Sequence, residues 1–223
     1  YGPAQDVGSA PQSLPLLRVP REGYAASVRP PVGLALEEYL ALKHVRGSLF
    51  VDYVRLIRSR KDIDWNRYLE PEDQGYLKGS IDDQAWYPLA TFERLGVAIL
   101  NTVAQGSISM VRVWGHLQVD AMLRIHPEVL ATGDAYESLH RVVVHRKGYF
   151  DFDVLNAREV LDDHANFELN YGFSDLGELA ACMQTLGAFE ELVKRAGGKN
   201  VKAEFTERRW EGDRRTLFQL SWT

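Results

Sequence analysis

The chain is expected to fold as an α+β domain, with helices packed on a small antiparallel sheet of about four strands behind an extended N-terminal arm. Three observations predict this. Apolar residues recur at three- and four-residue steps over most of the stretch from Leu34 to Gly148. After Gly148 they alternate singly with polar residues, and six of the nine prolines fall within the first 31 residues. The first spacing marks amphipathic helices and the second half-buried strands. Helices gathered ahead of strands separate α+β chains from α/β chains, which alternate the two throughout.

At 223 residues, 45% of them hydrophobic, the chain is long enough to bury one sizeable core without disulfides or metal. Its formal charge of -5 is spread over intermixed signs, which gives no basic face for nucleic acid. Cys182 is the single cysteine, so no internal disulfide forms. No apolar run reaches the 18 or so residues of a membrane span, and no basic-then-apolar leader opens the chain. A cytoplasmic setting is the default expectation. The first residue is Tyr1 rather than Met, as in a fragment or a processed product.

Residues 1–33 form the arm. Pro3, Pro11, Pro15, Pro20, Pro30 and Pro31 fix φ and remove backbone donors, which excludes helix and central strand. Leu14, Leu16, Leu17, Val19 and Tyr24 are interleaved with Arg18, Arg21 and Arg29, a composition suited to docking. Ordering such a segment costs about 1–2 kcal/mol per residue. It is therefore expected to gain order on the domain, on a second copy or on a partner protein.

The rest, 34–223, is expected to be one domain. A first helix runs from about Leu34 to Gly47, and Ser48 caps a second carrying Phe50, Tyr53, Val54 and Ile57 on one face. Asp64 caps a short helix, and Pro71, Gly75 and Gly79 punctuate a connection. Trp86-Tyr87-Pro88 leads into a helix with Leu89, Phe92, Leu95, Ile99 and Leu100 inward, ended by Gly106. Ile108 to Ile125 is a further helix facing inward through Val111, Trp114, Leu117, Val119 and Met122; Asp134 caps another with Tyr136, Leu139 and Val143. Phe150, Phe152 and Val154 read as a strand, then Phe167, Leu169 and Tyr171 as a second. Ser174 caps a helix with Leu179, Cys182, Met183, Leu186, Phe189, Leu192 and Val193 inward, which Gly197-Gly198 ends. Two last strands, Val201-Ala203-Phe205 and Leu217-Gln219-Ser221, turn about Gly212-Asp213.

The sequence contains no Gly-rich phosphate loop, no His-Glu-x-x-His and no Cys-x-x-Cys. His140 and His145 are five residues apart, face different sides of a helix and cannot share a metal, so no metal is expected. Asp162, Asp163 and His164 read as a solvated turn. Cys182 lies among Leu179, Met183 and Leu186 as a buried, inert thiol rather than a nucleophile. No nucleophile and base pair is evident, and the chain is expected not to be an enzyme. Candidate pocket residues are Trp86, Tyr87, Trp114, His116, Met122, Tyr149, Cys182 and Trp210. The arm residues Leu14, Leu16, Leu17, Arg18, Val19, Arg21, Tyr24 and Arg29 are the candidates for partner binding.

From about Gly47 to Trp222 the chain resembles the vinyl-reductase-type small-molecule-binding domains, and more closely a paralogous myxobacterial family of unknown function. The segments that carry the resemblance are Trp86-Tyr87-Pro88, Phe92-Glu93-Arg94-Leu95, Gly133-Asp134, Gly187-Ala188-Phe189-Glu190-Glu191-Leu192 and the closing Leu217-Phe218-Gln219-Leu220-Ser221-Trp222. The resemblance implies a fold like that of haem nitric-oxide sensors and of secretory transport-particle subunits, with an apolar cavity between helices and sheet. Two motifs of those relatives are missing. The cysteines that hold zinc near the last strands are absent, and the haem-sensor Tyr-x-Ser-x-Arg has only the misspaced Tyr24-Ala25-Ala26-Ser27-Val28-Arg29 as a counterpart. The expected function is a non-enzymatic regulatory or sensory module for a small apolar ligand or a protein partner, without a cofactor. The alternative is a structural adaptor that docks through its arm.

Overall fold

The computed structural model describes residues 42–223. The arm (1–33), its partner-binding candidates Leu14, Leu16, Leu17, Arg18, Val19, Arg21, Tyr24 and Arg29, and the start of the helix expected from Leu34 lie outside the described residues.

The first described element corrects an expectation. Residues His44–Arg46 form a strand, β1, rather than a helix end, and pair antiparallel with β2, Trp86–Pro88. The pairing partner lies some forty residues away, so local spacing could not reveal it. Gly47, expected to stop a helix, instead starts α1 (Gly47–Ser59), one residue ahead of the expected cap Ser48. A Cβ at Gly47 would stand 2.0 Å from the Asp82 carbonyl oxygen, so this glycine marks a close backbone approach. Asp64 caps the 3-10 turn Trp65–Arg67 as expected, accepting from the Asn66 N–H. The expected connection around Pro71 and Gly75 is helical: α2, Pro71–Lys78. Proline in a first turn gives up only an N–H that lacks an intrahelical partner anyway. The Asp73 carboxylate accepts from the Glu70 N–H and so closes the turn.

Helices α3 (Leu89–Thr102), α4 (Ile108–Ile125) and α5 (Ala135–Arg146) follow. Ser107 and Asp134 cap the last two through their side chains. Val111 and Val119 face inward as expected, but Leu117 and Tyr136 are exposed. The run Phe150–Val154 is not a strand of the sheet. Phe150 makes one isolated bridge to Val45, and the first sheet strand, β3, is Leu155–Val160.

Strand β4 (His164–Leu169) leads to helix α6 (Asp175–Arg195), then β5 (Lys202–Glu207) and β6 (Thr216–Ser221). The sheet order is β3-β4-β6-β5, antiparallel throughout. Gly212, at a φ of 99°, takes the left-handed position in the β5–β6 connection. Ser174 stands at the N-cap of α6, but its hydroxyl donates to Glu93 rather than accepting from the helix. In β6 the inward set is Thr216, Phe218 and Leu220, one residue out of step with the expected Leu217, Gln219 and Ser221. Pairing with β4 (Phe167 opposite Phe218, Leu169 opposite Thr216) sets this, because a one-residue slip turns every side chain to the other face.

Helix α6 is the axis of the domain. One face meets the sheet through Phe189, whose ring packs edge-on against Phe167 and Phe218 at 5.0 and 5.6 Å. These three rings, with Cys182, Leu186 and Leu192, are at most 1% exposed. They fill the space between helix and sheet where the resemblance implies a cavity. The other face of α6 meets α4 through two glycines. A Cβ at Gly115 would lie 2.1 Å from the Gln184 carbonyl oxygen, and one at Gly187 would lie 2.2 Å from that of Arg112. Among the described residues, no helix is long and apolar enough to cross a membrane.

Candidate functional site

With the helix–sheet space filled, the opening in the core lies among the helices. A crevice of about 70 Å³ sits where α1, α3, α4 and α6 converge. Phe92, Val97, Ile99 and Leu100 of α3 form one wall; Tyr53 and Leu56 of α1, Val111 and Trp114 of α4, and Ala180 and Ala181 of α6 complete it. It exists because small residues stand where helices meet. Gly177 admits the Glu93 side chain, and Gly96 faces the Tyr53 ring, which a Cβ would approach to 3.1 Å.

The polar rim is engaged. The Glu93 carboxylate accepts from the backbone N–H of Ser174 at 2.8 Å and from its hydroxyl. The Tyr53 hydroxyl donates to Gln184 Oε1 at 3.4 Å, and its ring stacks on Phe92 with centroids 4.6 Å apart. Burial pushes the Tyr53 hydroxyl above its ordinary pKa, so it stays a neutral phenol. A second hollow, of about 450 Å³, lies across the ends of β4, β5 and β6. It is an open polar surface whose His164 is paired with Asp163 and Glu159, which raises its pKa.

Trp114 is the predicted pocket residue that lines the crevice. The others are dispersed. Tyr87 stacks on Phe50 at 4.5 Å and accepts from the Asp82 N–H. Trp86 lies under the Arg46 guanidinium, and Met122 packs at the core edge. The Tyr149 hydroxyl lies 2.5 Å from His145 Nε2. Cys182 is fully buried, and burial pushes its thiol well above the ordinary range, as expected of an inert cysteine. Trp210 braces Phe205 edge-on.

His116 belongs to a charge cluster on the outer side of α4 and α6. Its Nε2 lies 3.2 Å from Glu190 Oε2, which also accepts from Arg112 at 2.7 Å, while Lys194 donates to Oε1 at 2.7 Å. Burial alone would raise the Glu190 pKa. The hydrogen bonds from Lys194 and Arg112 outweigh it and hold the carboxyl at about 2. This cluster bolts α4 to α6 beside the glycine contact.

Sequence reasoning missed Tyr53, Phe92, Gly96, Gly177, Ala180 and Ala181 as crevice residues. A glycine in a helix interior costs about 1 kcal/mol relative to alanine, so Gly96, in the middle of α3, was the available signal of a close approach.

No protein-family profile matches the chain, and no curated protein does. Solved structures do. The unliganded Fe(II) H-NOX protein from K. algicida covers 80% of this chain with 96% of its own length, at a TM-score of 0.57 and 12% identity. The S. oneidensis H-NOX protein in its Fe(II)NO state covers 80% with 99% of its own length, at 0.56 and 11%. An oxygen-binding H-NOX domain related to soluble guanylate cyclases, solved as its oxygen complex, covers 80% with 95%, at 0.52 and 14%. The closer resemblance to a myxobacterial family has no counterpart in these matches. What they establish is architectural: the described domain has the fold of the H-NOX proteins.

Proposed function

We propose that the domain is a sensory or regulatory module that admits a very small apolar molecule into the crevice between α1, α3, α4 and α6. The observation that carries this reading is the lining, which is apolar in the middle with its polar groups already engaged. The crevice is well below the roughly 300 Å³ at which drug-sized pockets begin. It is about half the ~150 Å³ that hosts benzene or xenon in an apolar core. A molecule of two or three heavy atoms suits it. The ionisable groups among the lining residues, Glu93 and Tyr53, are held by Ser174 and Gln184, which favours a binding module over an enzyme.

The fold invites a haem reading, since matched H-NOX proteins were solved with iron and nitric oxide or with oxygen. The residues here do not fit that group. The helix–sheet space is occupied by Phe167, Phe189 and Phe218, the crevice is far smaller than a porphyrin, and among the described residues no histidine lines it. The gas-sized crevice supports direct admission of a small molecule without a prosthetic group. The lone, fully buried thiol supports an intracellular setting.

The test is to expose the isotopically labelled chain to xenon and follow amide shifts. Saturable shifts clustered at Tyr53, Gly96, Trp114 and Ala181 are expected, and Ala181→Leu should abolish them by filling the space. No saturable response in the wild type, or an undiminished one in the filled variant, would overturn the reading.

A second reading, self-association as a structural module, is favoured by Met110, Val113 and Leu117. These residues stand at three- and four-residue steps on α4 and are 42, 51 and 60% exposed. Light scattering should give a dimer mass that Leu117→Asp, or deletion of residues 1–33, lowers. A monomer mass in the wild type would exclude it.

A further inference from the structure

Away from the crevice, the junction of α4 and α5 gathers a donor set that no motif announces. His126 closes α4, Glu128 lies in the 3-10 turn Pro127–Val129, and His145 stands in the last turn of α5. One donor atom from each lies within 4.8 Å of the others, and His126 Nδ1 is 3.1 Å from Glu128 Oε1. The two imidazole rings are 4.3 Å apart between centroids. We propose that His126, Glu128 and His145 bind a divalent transition metal, zinc by preference.

The geometry and the chemistry agree. Two imidazoles and a carboxylate suit zinc, which they approach to about 2.0–2.2 Å. Tetrahedral ligands at that range stand roughly 3.3 Å apart. The His126–Glu128 pair already has that separation, and a bound ion would have to draw the remaining pairs in from within 4.8 Å.

The backbone beneath the ligands is fixed. The His126 N–H donates to the Met122 carbonyl at 2.8 Å, Val129 is buried, and Arg141 holds the Glu128 carbonyl at 2.9 Å. The Tyr149 hydroxyl, 2.5 Å from His145 Nε2, orients the second imidazole, as outer partners of metal-bound histidines do. Among the described residues, neither lysine nor arginine pairs with the Glu128 carboxylate, so the anion is available to a cation. His126 and Glu128 are also partly open to solvent, which leaves room for a fourth ligand such as water.

The experiment uses the full chain, stripped with chelator, dialysed against zinc chloride and analysed for bound metal. One zinc per chain is expected. Metal at a hundredfold excess over its dissociation constant should raise the melting temperature by about 5–10 °C. His126→Ala and His145→Ala should each weaken binding at least tenfold, and Tyr149→Phe by up to about tenfold. His140→Ala, whose ring instead faces Tyr136, should leave binding unchanged. Should the histidine variants fail to fold by circular dichroism, Glu128→Gln at its exposed position must show the same loss. Cobalt in place of zinc should give the visible absorption of a tetrahedral site. Failure of the wild type to hold zinc, or undiminished zinc in the His126→Ala/His145→Ala double variant or in Glu128→Gln, overturns the proposal.

Discussion

Replacing Gly187 with alanine would place a methyl group 2.2 Å from the Arg112 carbonyl oxygen. Ordinary contact begins at 3.4 Å, so α4 and α6 must separate locally by about 1.2 Å or their backbones must distort. The obstacle is backbone, not a side chain that could swing away, and the facing Gly115 is equally tight against the Gln184 carbonyl. Overpacking of this kind costs about 1–3 kcal/mol and occasionally more, whereas alanine returns close to 1 kcal/mol of helix propensity. A net loss of about 1–2 kcal/mol, the upper half of that balance because the obstacle is backbone, corresponds to roughly 2–8 °C in melting temperature for a domain of this size. Separation should also strain the Arg112–Glu190 pair beside the contact, which adds to the loss. Thermal and urea unfolding of Gly187→Ala, Gly115→Ala and the double variant check the argument. Because either methyl pushes the same two helices apart, the double variant should lose less than the sum of the singles. An unchanged melting temperature in Gly187→Ala, or strict additivity, would refute the reasoning.

Asp73 is fully buried and held by a two-pronged contact from Arg94 at 2.7 and 2.8 Å. Arg94→Ala should therefore cost about 3 kcal/mol or more in denaturant unfolding, and Arg94→Lys should recover only part, since the fork is lost. Glu190 sets an acid limit. Its lowered pKa contributes stability that is complete above the ordinary value of 4.5 and is lost as pH falls from there to about 2. Stability measured against pH should show Glu190→Gln about 1–2 kcal/mol weaker at pH 6, a gap that closes through that window. Cys182 should resist a thiol-reactive dye in the folded protein and react fully once unfolded. Rapid native labelling would contradict the burial that raises its pKa.

Local periodicity carried far in this chain. The α4 span from Ile108 to Ile125, the caps Asp64 and Asp134, the inward face of α6 from Cys182 to Val193 (though not Leu179) and the α+β order were legible, because each depends on residues within a turn or two. Tertiary structure decided what depends on distant partners. His44–Arg46 becomes a strand only because β2 lies alongside, and β6 presents Phe218 rather than Leu217 only because β4 sets its register. The candidate site followed the same rule. Trp114 was visible as an aromatic on an apolar face, but the crevice depends on Gly96, Gly177 and the alanines of α6, whose small size matters only once another helix lies against them. His126 and His145 are nineteen positions apart and meet because two helix ends converge. Backbone preference and apolar spacing are short-range properties that a sequence states directly; the meeting of surfaces is settled when the core closes around α6.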